Sequence, residues 1–134
     1  MQVRRVVPEG RAKETSSRDL AVAAARAAAD KQGERVVVLD VRNLIVITDY
    51  FVIASGGSER QVRTIVEEIE RSLRGQGMKP LRREGEQDNR WVLLDFVDVV
   101  VHVFAPEERE YYDLERLWRD APVLQWEDVG AAHG

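Results

Sequence analysis

The chain has no cysteine, which excludes a disulfide framework, a thiolate metal centre and a cysteine nucleophile. Histidine is nearly as scarce, with His102 and His133 the two copies in 134 residues. Neither has a serine or cysteine motif to serve. No apolar run approaches the length needed to cross a bilayer. The opening stretch MQVRRVVPEGRAKETSS lacks the apolar segment of a secretory signal. A soluble, cytoplasmic protein is therefore expected. Glycine-rich phosphate loops are also missing. Gly56-Gly57-Ser58 lies between a strand and a helix, where backbone amides can hold an anion. Yet it is neither the Gly-Lys-Ser/Thr of a P-loop nor GxGxxG, and a turn with a serine N-cap accounts for it.

The charge is unevenly spread. The net value of −4 combines 16 Lys/Arg and 12 Asp/Glu through Gly85 with 4 Arg and 12 Asp/Glu from Glu86 onward. An acidic second half is a poor surface for phosphate backbones, whose binding rests on Lys and Arg. It suits a basic protein partner, or serves simply as a solubilising surface. Aromatic residues without a basic face do not make an RNA-stacking platform.

Length and composition describe one domain with a proper core. Residues 1–15 lack periodicity and read as a mobile N-terminal arm, 16–121 as the folded domain and 122–134 as a C-terminal tail without a regular element. Ser16 to Asp19 forms a capping box. It opens a helix with a Leu20, Ala23, Ala24, Ala27 stripe that ends at Gly33. Strands follow at Arg35–Val41 and Asp49–Ser55, with Leu44–Thr48 ambiguous between strand and surface connection. Ser58 and Gln61 cap a second helix whose apolar stripe is Val62, Ile65, Val66, Ile69 and Leu73. Its outer face offers Glu67–Arg71 and Glu70–Arg74 pairs at i,i+4. Met78–Glu84 reads as a short edge strand. Pro106 then opens a last helix with Tyr111, Leu114, Leu117 and Trp118 facing inward, ending before Pro122.

The stretch RWVLLDFVDVVVHVFA, Arg90–Ala105, organises the rest. Its runs Trp91–Leu94 and Val99–Phe104 are β-rich, and the segment Asp95–Asp98 between them predicts a hairpin turn. Val99, Val101 and Val103 occupy one face of the second strand, with Val100, His102 and Phe104 on the other. That is the pattern of an inner strand covered on both sides. Together these elements predict an α/β fold: one mixed sheet of about five strands with helices packed on it.

A Gly-Ser turn followed by strand carboxylates also raises a nucleotidyltransferase-like, metal-dependent enzyme. Such enzymes hold metal with D-x-D on one strand face. Here the spacing is Asp95-x-x-Asp98, which points the two carboxylates apart unless a turn brings them together. Asp40 and Asp49 have no supporting motif.

In order and spacing, several stretches together resemble the ribosome silencing factor (Iojap-like) family. They are Asp49-Tyr50-Phe51-Val52-Ile53 with Ser55-Gly56, Ser58 and Arg60-Gln61; Glu84-Gly85; Trp91 with Leu93 and Asp95; Asp98-Val99-Val100-Val101-His102; and Tyr112-x-Leu114-Glu115-x-Leu117-Trp118. The likeness runs from about Ser17 to Ala121. It implies a homodimer with nucleotidyltransferase-like topology, no catalytic carboxylates, no cofactor and no metal. The implied activity is binding the large ribosomal subunit through universal ribosomal protein L fourteen. Occupying that site blocks small-subunit joining and represses translation in starvation or stationary phase; organelle relatives act in large-subunit biogenesis. Carried over, the contact surface comprises Trp91, Phe96, Asp98 and His102, with Tyr112 and Glu115 beside them. The family has Gly where this chain has Val97. A β-branched residue is strained wherever φ must be positive, so another turn type or a bulge is expected.

Overall fold

A computed structural model describes residues 16–128. The arm at 1–15 and the last part of the tail, 129–134, lie outside the described residues. Helix α1 (Ser17–Asp30) opens the fold, followed by strands β1 (Glu34–Asp40) and β2 (Tyr50–Ser55) and helix α2 (Glu59–Arg74). Strands β3 (Arg82–Glu84), β4 (Trp91–Asp95) and β5 (Val99–Phe104) come next. Helices α3 (Pro106–Tyr112) and α4 (Leu114–Leu117) and strand β6 (Val123–Leu124) complete it. The sheet order is β3-β4-β5-β2-β1-β6. β2 and β5 run parallel, and the other pairings are antiparallel. The expected mixed α/β sheet is present, with six strands instead of about five.

Alternation along each strand divides the core between two faces. On one face Val52, Ala54, Val92, Leu94, Phe96, Val99, Val101 and Val103 pack under α1 and α2. Alanine lets α1 approach closely, burying Ala21, Ala24, Ala25 and Ala28. Both helix starts have the expected serine caps, Ser16 accepting from the Asp19 amide and Ser58 from the Gln61 amide, each at 3.1 Å. On the other face Leu39, Val41, Phe51, Ile53 and Phe104 meet Leu114 and Ala121 from the C-terminal segment. β5 is thus an inner strand, as its pattern requires.

Three expectations need correcting, and one open alternative is settled. Residues 122–124 are not a featureless tail: Leu39 and Val38 of β1 pair with Val123 and Leu124. Trp126 Nε1 then donates to the Val36 carbonyl at 3.0 Å, holding this segment to the sheet edge. The last helix is broken at Asp113, whose φ of +47° ends α3. The break turns Leu114 inward but leaves Tyr111 81% and Leu117 70% exposed, so neither is core. The expected i,i+4 pairs on α2 are replaced by Arg71 with Glu68 and by Glu70 with Arg83 of β3. Leu44–Thr48 is a connection, with Val46 and Ile47 exposed.

The hairpin turn is where local chemistry is least comfortable. Val97 itself takes φ +77°, instead of another turn type or a bulge absorbing the strain. The Asp98 amide donates back to the Phe96 carbonyl at 3.0 Å, which closes a tight γ-turn. Asp95 Oδ1 accepts from the Val97 amide at 2.8 Å and helps to hold this geometry. A β-branched residue in this region carries strain of about 1–3 kcal/mol. Glycine there adds roughly 0.5–1 kcal/mol of chain-entropy cost. Val97→Gly is therefore expected to stabilise the protein by about 1 kcal/mol, read as a higher urea midpoint with an unchanged slope. A lower midpoint would show that the turn is not strained.

Candidate functional site

The candidate site lies on the second sheet face, at the edge of α3. Trp91, Leu93 and Asp95 alternate onto it from β4, each half-buried. Trp91 stands opposite Phe104, and Leu93 opposite His102, in the antiparallel register with β5. The indole lies 5.0 Å from the Phe104 ring and 4.4 Å from the Tyr112 ring, centre to centre. Phe51 meets His102 edge-on at 5.4 Å and Trp118 at 5.2 Å. The result is an aromatic layer running from Trp118 across the sheet to Tyr112. Its outer members, Trp91 and Tyr112, are within reach of solvent.

Gly85 fixes where β4 begins. Its φ is +87°, and a Cβ there would stand 1.9 Å from the Trp91 carbonyl oxygen. Only glycine lets the β3–β4 connection pass this close to the backbone that carries Trp91.

His102 is 7% exposed, so it lies behind the surface. Trp91 Nε1 donates to its Nδ1 at 3.1 Å. This bond requires a neutral ring with its proton on Nε2. Burial supplies that state by pushing the His102 pKa down to about 4. A neutral histidine therefore fixes the orientation of the indole.

Arg109 has the most buried charge of the described chain, at 1% exposure. Its guanidinium donates from Nε and Nη2 to the two Glu115 oxygens at 3.2 and 2.6 Å. Nη2 also reaches the Arg35 carbonyl at 2.7 Å, and Nη1 reaches Ser55 Oγ at 3.1 Å. Arg35 can present that carbonyl because the register of β1 slips between Glu34 and Val37, with φ +47° at Arg35. Desolvation raises the Glu115 pKa, but hydrogen bonds and charge from Arg109 outweigh it and hold the carboxyl below its usual range. Glu115 is thus committed to clamping α3 and α4 onto the sheet. Arg109 was not legible as a site residue, since an arginine among Glu107, Glu108 and Glu110 looks like a solvated helix face.

The six carried-over residues are therefore not one patch. Trp91, His102 and Tyr112 are together, whereas Glu115 is taken up by Arg109. Asp98 lies at the opposite end of the hairpin, where its carbonyl accepts from the amides of Asp49 and Tyr50. Phe96 is 1% exposed and packs on the helix-covered face. Its inclusion in a contact surface is corrected by that burial.

Three of the four carboxylates considered for metal binding, Asp40, Asp49 and Asp95, are occupied locally. Asp40 is held by Arg42 at 2.7 Å, and Asp49 accepts from Ser17 Oγ at 2.7 Å. Asp95 is taken up by the Val97 amide and by Arg82 at 3.4 Å. Among the described residues no group of three or more His, Cys, Asp or Glu is placed to hold a metal ion. Gly56 is explained by packing, because a Cβ would come within 2.9 Å of the Val62 amide. Among these residues, too, no helix is long and apolar enough to cross a membrane.

Fold and site together define an α/β domain with a partly exposed aromatic layer on one sheet face. A family model described as "Ribosomal silencing factor during starvation" matches residues 14–133. The ribosomal silencing factor of Halalkalibacterium halodurans is 45% identical over 114 residues, covering 85% of this chain and 97% of that protein. A Mus musculus protein named for mitochondrial assembly of the ribosomal large subunit is 35% identical over 86 residues, 62% of this chain and 38% of its own length. A crystal structure of a Chromobacterium violaceum protein superposes with a TM-score of 0.75 at 34% identity, covering 78% of this chain and 87% of that one. The chain belongs to the ribosomal silencing factor family.

Proposed function

We propose that this protein binds the large ribosomal subunit through universal ribosomal protein L fourteen and sterically blocks small-subunit joining, repressing translation in starvation or stationary phase. It acts in the cytoplasm as a homodimer and by occupancy, without catalysis. The observation that carries this reading is Trp91: a half-buried indole, braced by His102, Phe104 and Tyr112 where the sheet meets α3. Large aromatic residues held in this way are the usual anchors of protein interfaces. The acidic balance after Glu86 suits a basic partner and favours fast, oriented encounter. Trp91 and Tyr112 form the contact centre in this reading, His102 supports Trp91 from behind, and Asp98 contributes at the far end.

Sedimentation with isolated large subunits tests it. The protein is expected to pellet with large subunits and to reduce their joining with small subunits. Trp91→Ala should weaken binding roughly tenfold while the circular dichroism spectrum stays that of a folded chain. Failure of the unaltered protein to pellet would remove the proposal. A role in large-subunit biogenesis is the second reading, favoured by the name of the Mus musculus relative. It predicts binding to immature subunits in preference to mature ones.

A further inference from the structure

The break at Asp113 leaves an apolar surface that nothing in the described chain covers. Tyr111, Leu117 and Tyr112, the last 46% exposed, all stand on the outside of α3 and α4. Two adjoining grooves share the tyrosines as a wall. One, of about 560 Å³, lies between Tyr111 and Leu117. The other, of about 320 Å³, is formed by Glu107, Glu108, Tyr111 and Tyr112. The two tyrosine rings meet edge-on at 5.0 Å, and Tyr112 continues inward to Trp91. Outer grooves and aromatic layer are therefore one continuous surface.

At the smaller groove the charge is not balanced from within. Glu59, Glu107 and Glu108 all share a single guanidinium, that of Arg90, at 3.2, 2.9 and 2.9 Å. Three carboxylates on one cation leave two negative charges beside the smaller groove. The faces of two tyrosine rings add to the attraction for a cation. The larger groove adds apolar contact from Tyr111 and Leu117, beside the charged side chains of Glu110, Asp113, Arg116, Arg119 and Asp120. From this pairing we infer that the outer face of α3 and α4 docks a basic protein segment. An aliphatic side chain of the partner enters between Tyr111 and Leu117, and a Lys or Arg lies between the tyrosines and the Glu107–Glu108 pair. The inference rests on the ribosomal reading above, and extends that contact from Trp91 and Tyr112 to Tyr111, Leu117 and the Glu107–Glu108 pair, which were not among the carried-over contact residues.

The test uses the full chain, purified large subunits and two variants. Tyr111→Ser combined with Leu117→Ser removes the apolar contact. Both residues are exposed, so the thermal midpoint is expected to stay near that of the unaltered protein. Binding is expected to fall about tenfold. Glu107→Lys should slow association at low salt and flatten its salt dependence. If the unaltered protein pellets with large subunits and both variants bind equally well, this surface is not the dock, although the ribosomal reading stands. If Glu107→Lys tightens binding, the surface faces phosphate, and a basic protein partner is overturned. If the unaltered protein does not pellet, the ribosomal reading and this inference fall together.

Discussion

Arg109→Met is expected to cost about 3 kcal/mol of stability, the largest effect of any single substitution proposed for this protein. Removing one member of a buried ion pair typically costs about 3–5 kcal/mol, because the remaining charge stays out of water. Here the remaining charge is Glu115, whose side chain is one-third exposed and can partly rehydrate. That argues for the lower end of the range. The loss is still large because the guanidinium also serves the Arg35 carbonyl and Ser55 Oγ, and a buried acceptor left unpaired costs about 1–3 kcal/mol. Arg109→Lys should recover little, since an ammonium cannot make the two-pronged bond to Glu115. Urea unfolding measures both, with a shifted midpoint and an unchanged slope. In a double-mutant cycle with Glu115→Gln, the two changes should cost less together than separately, because each breaks the same pair. A loss below about 1 kcal/mol for Arg109→Met would show that the clamp contributes little net stability.

The contrast between what could be read along the chain and what could not follows the range of the interactions. Serine caps, helix stripes and strand alternation are local, and each was legible from a few consecutive residues. The same alternation could have placed Phe96 correctly. Val92, Leu94 and Phe96 share a parity opposite to Trp91, Leu93 and Asp95, so Phe96 had to face α1 and α2 if Trp91 faced away. Three features had no local signature. Asp113 adopts a left-handed conformation without being glycine, so nothing in the spacing of Tyr111, Leu114 and Leu117 announced the break. Arg109 finds its partners on β1 and β2, 54 to 75 residues away. The two-residue strand β6 exists because Pro122 supplies a carbonyl to the Asp40 amide at 2.8 Å and Trp126 caps the Val36 carbonyl. Such a strand is too short for any periodicity to show.

Lowering the pH from 7 to 5 is expected to remove about 2 kcal/mol of stability through His102 alone. In the unfolded chain this histidine titrates near its ordinary value of 6.5; in the fold, burial pushes it down to about 4. The folded pKa is the lower one, so the unfolded chain binds more protons throughout that interval. Stability is therefore fully present above about pH 6.5 and falls progressively toward pH 4. The carboxyls of Asp40 and Glu115 are also lowered from their ordinary values of 3.8 and 4.5. Their contribution is lost mainly below pH 5, which leaves the window between 7 and 5 chiefly to His102. His102→Phe should flatten the stability profile across it, at the expense of the Trp91 hydrogen bond. The same titration reaches the surface, because a protonated Nδ1 is a donor and can no longer accept from Trp91 Nε1. Urea midpoints measured at pH 7, 6 and 5 for both proteins decide the matter. Equal slopes with pH would mean that His102 is not the group responsible. A steeper fall in the unaltered protein alone would show that the fold holds His102 neutral by burying it.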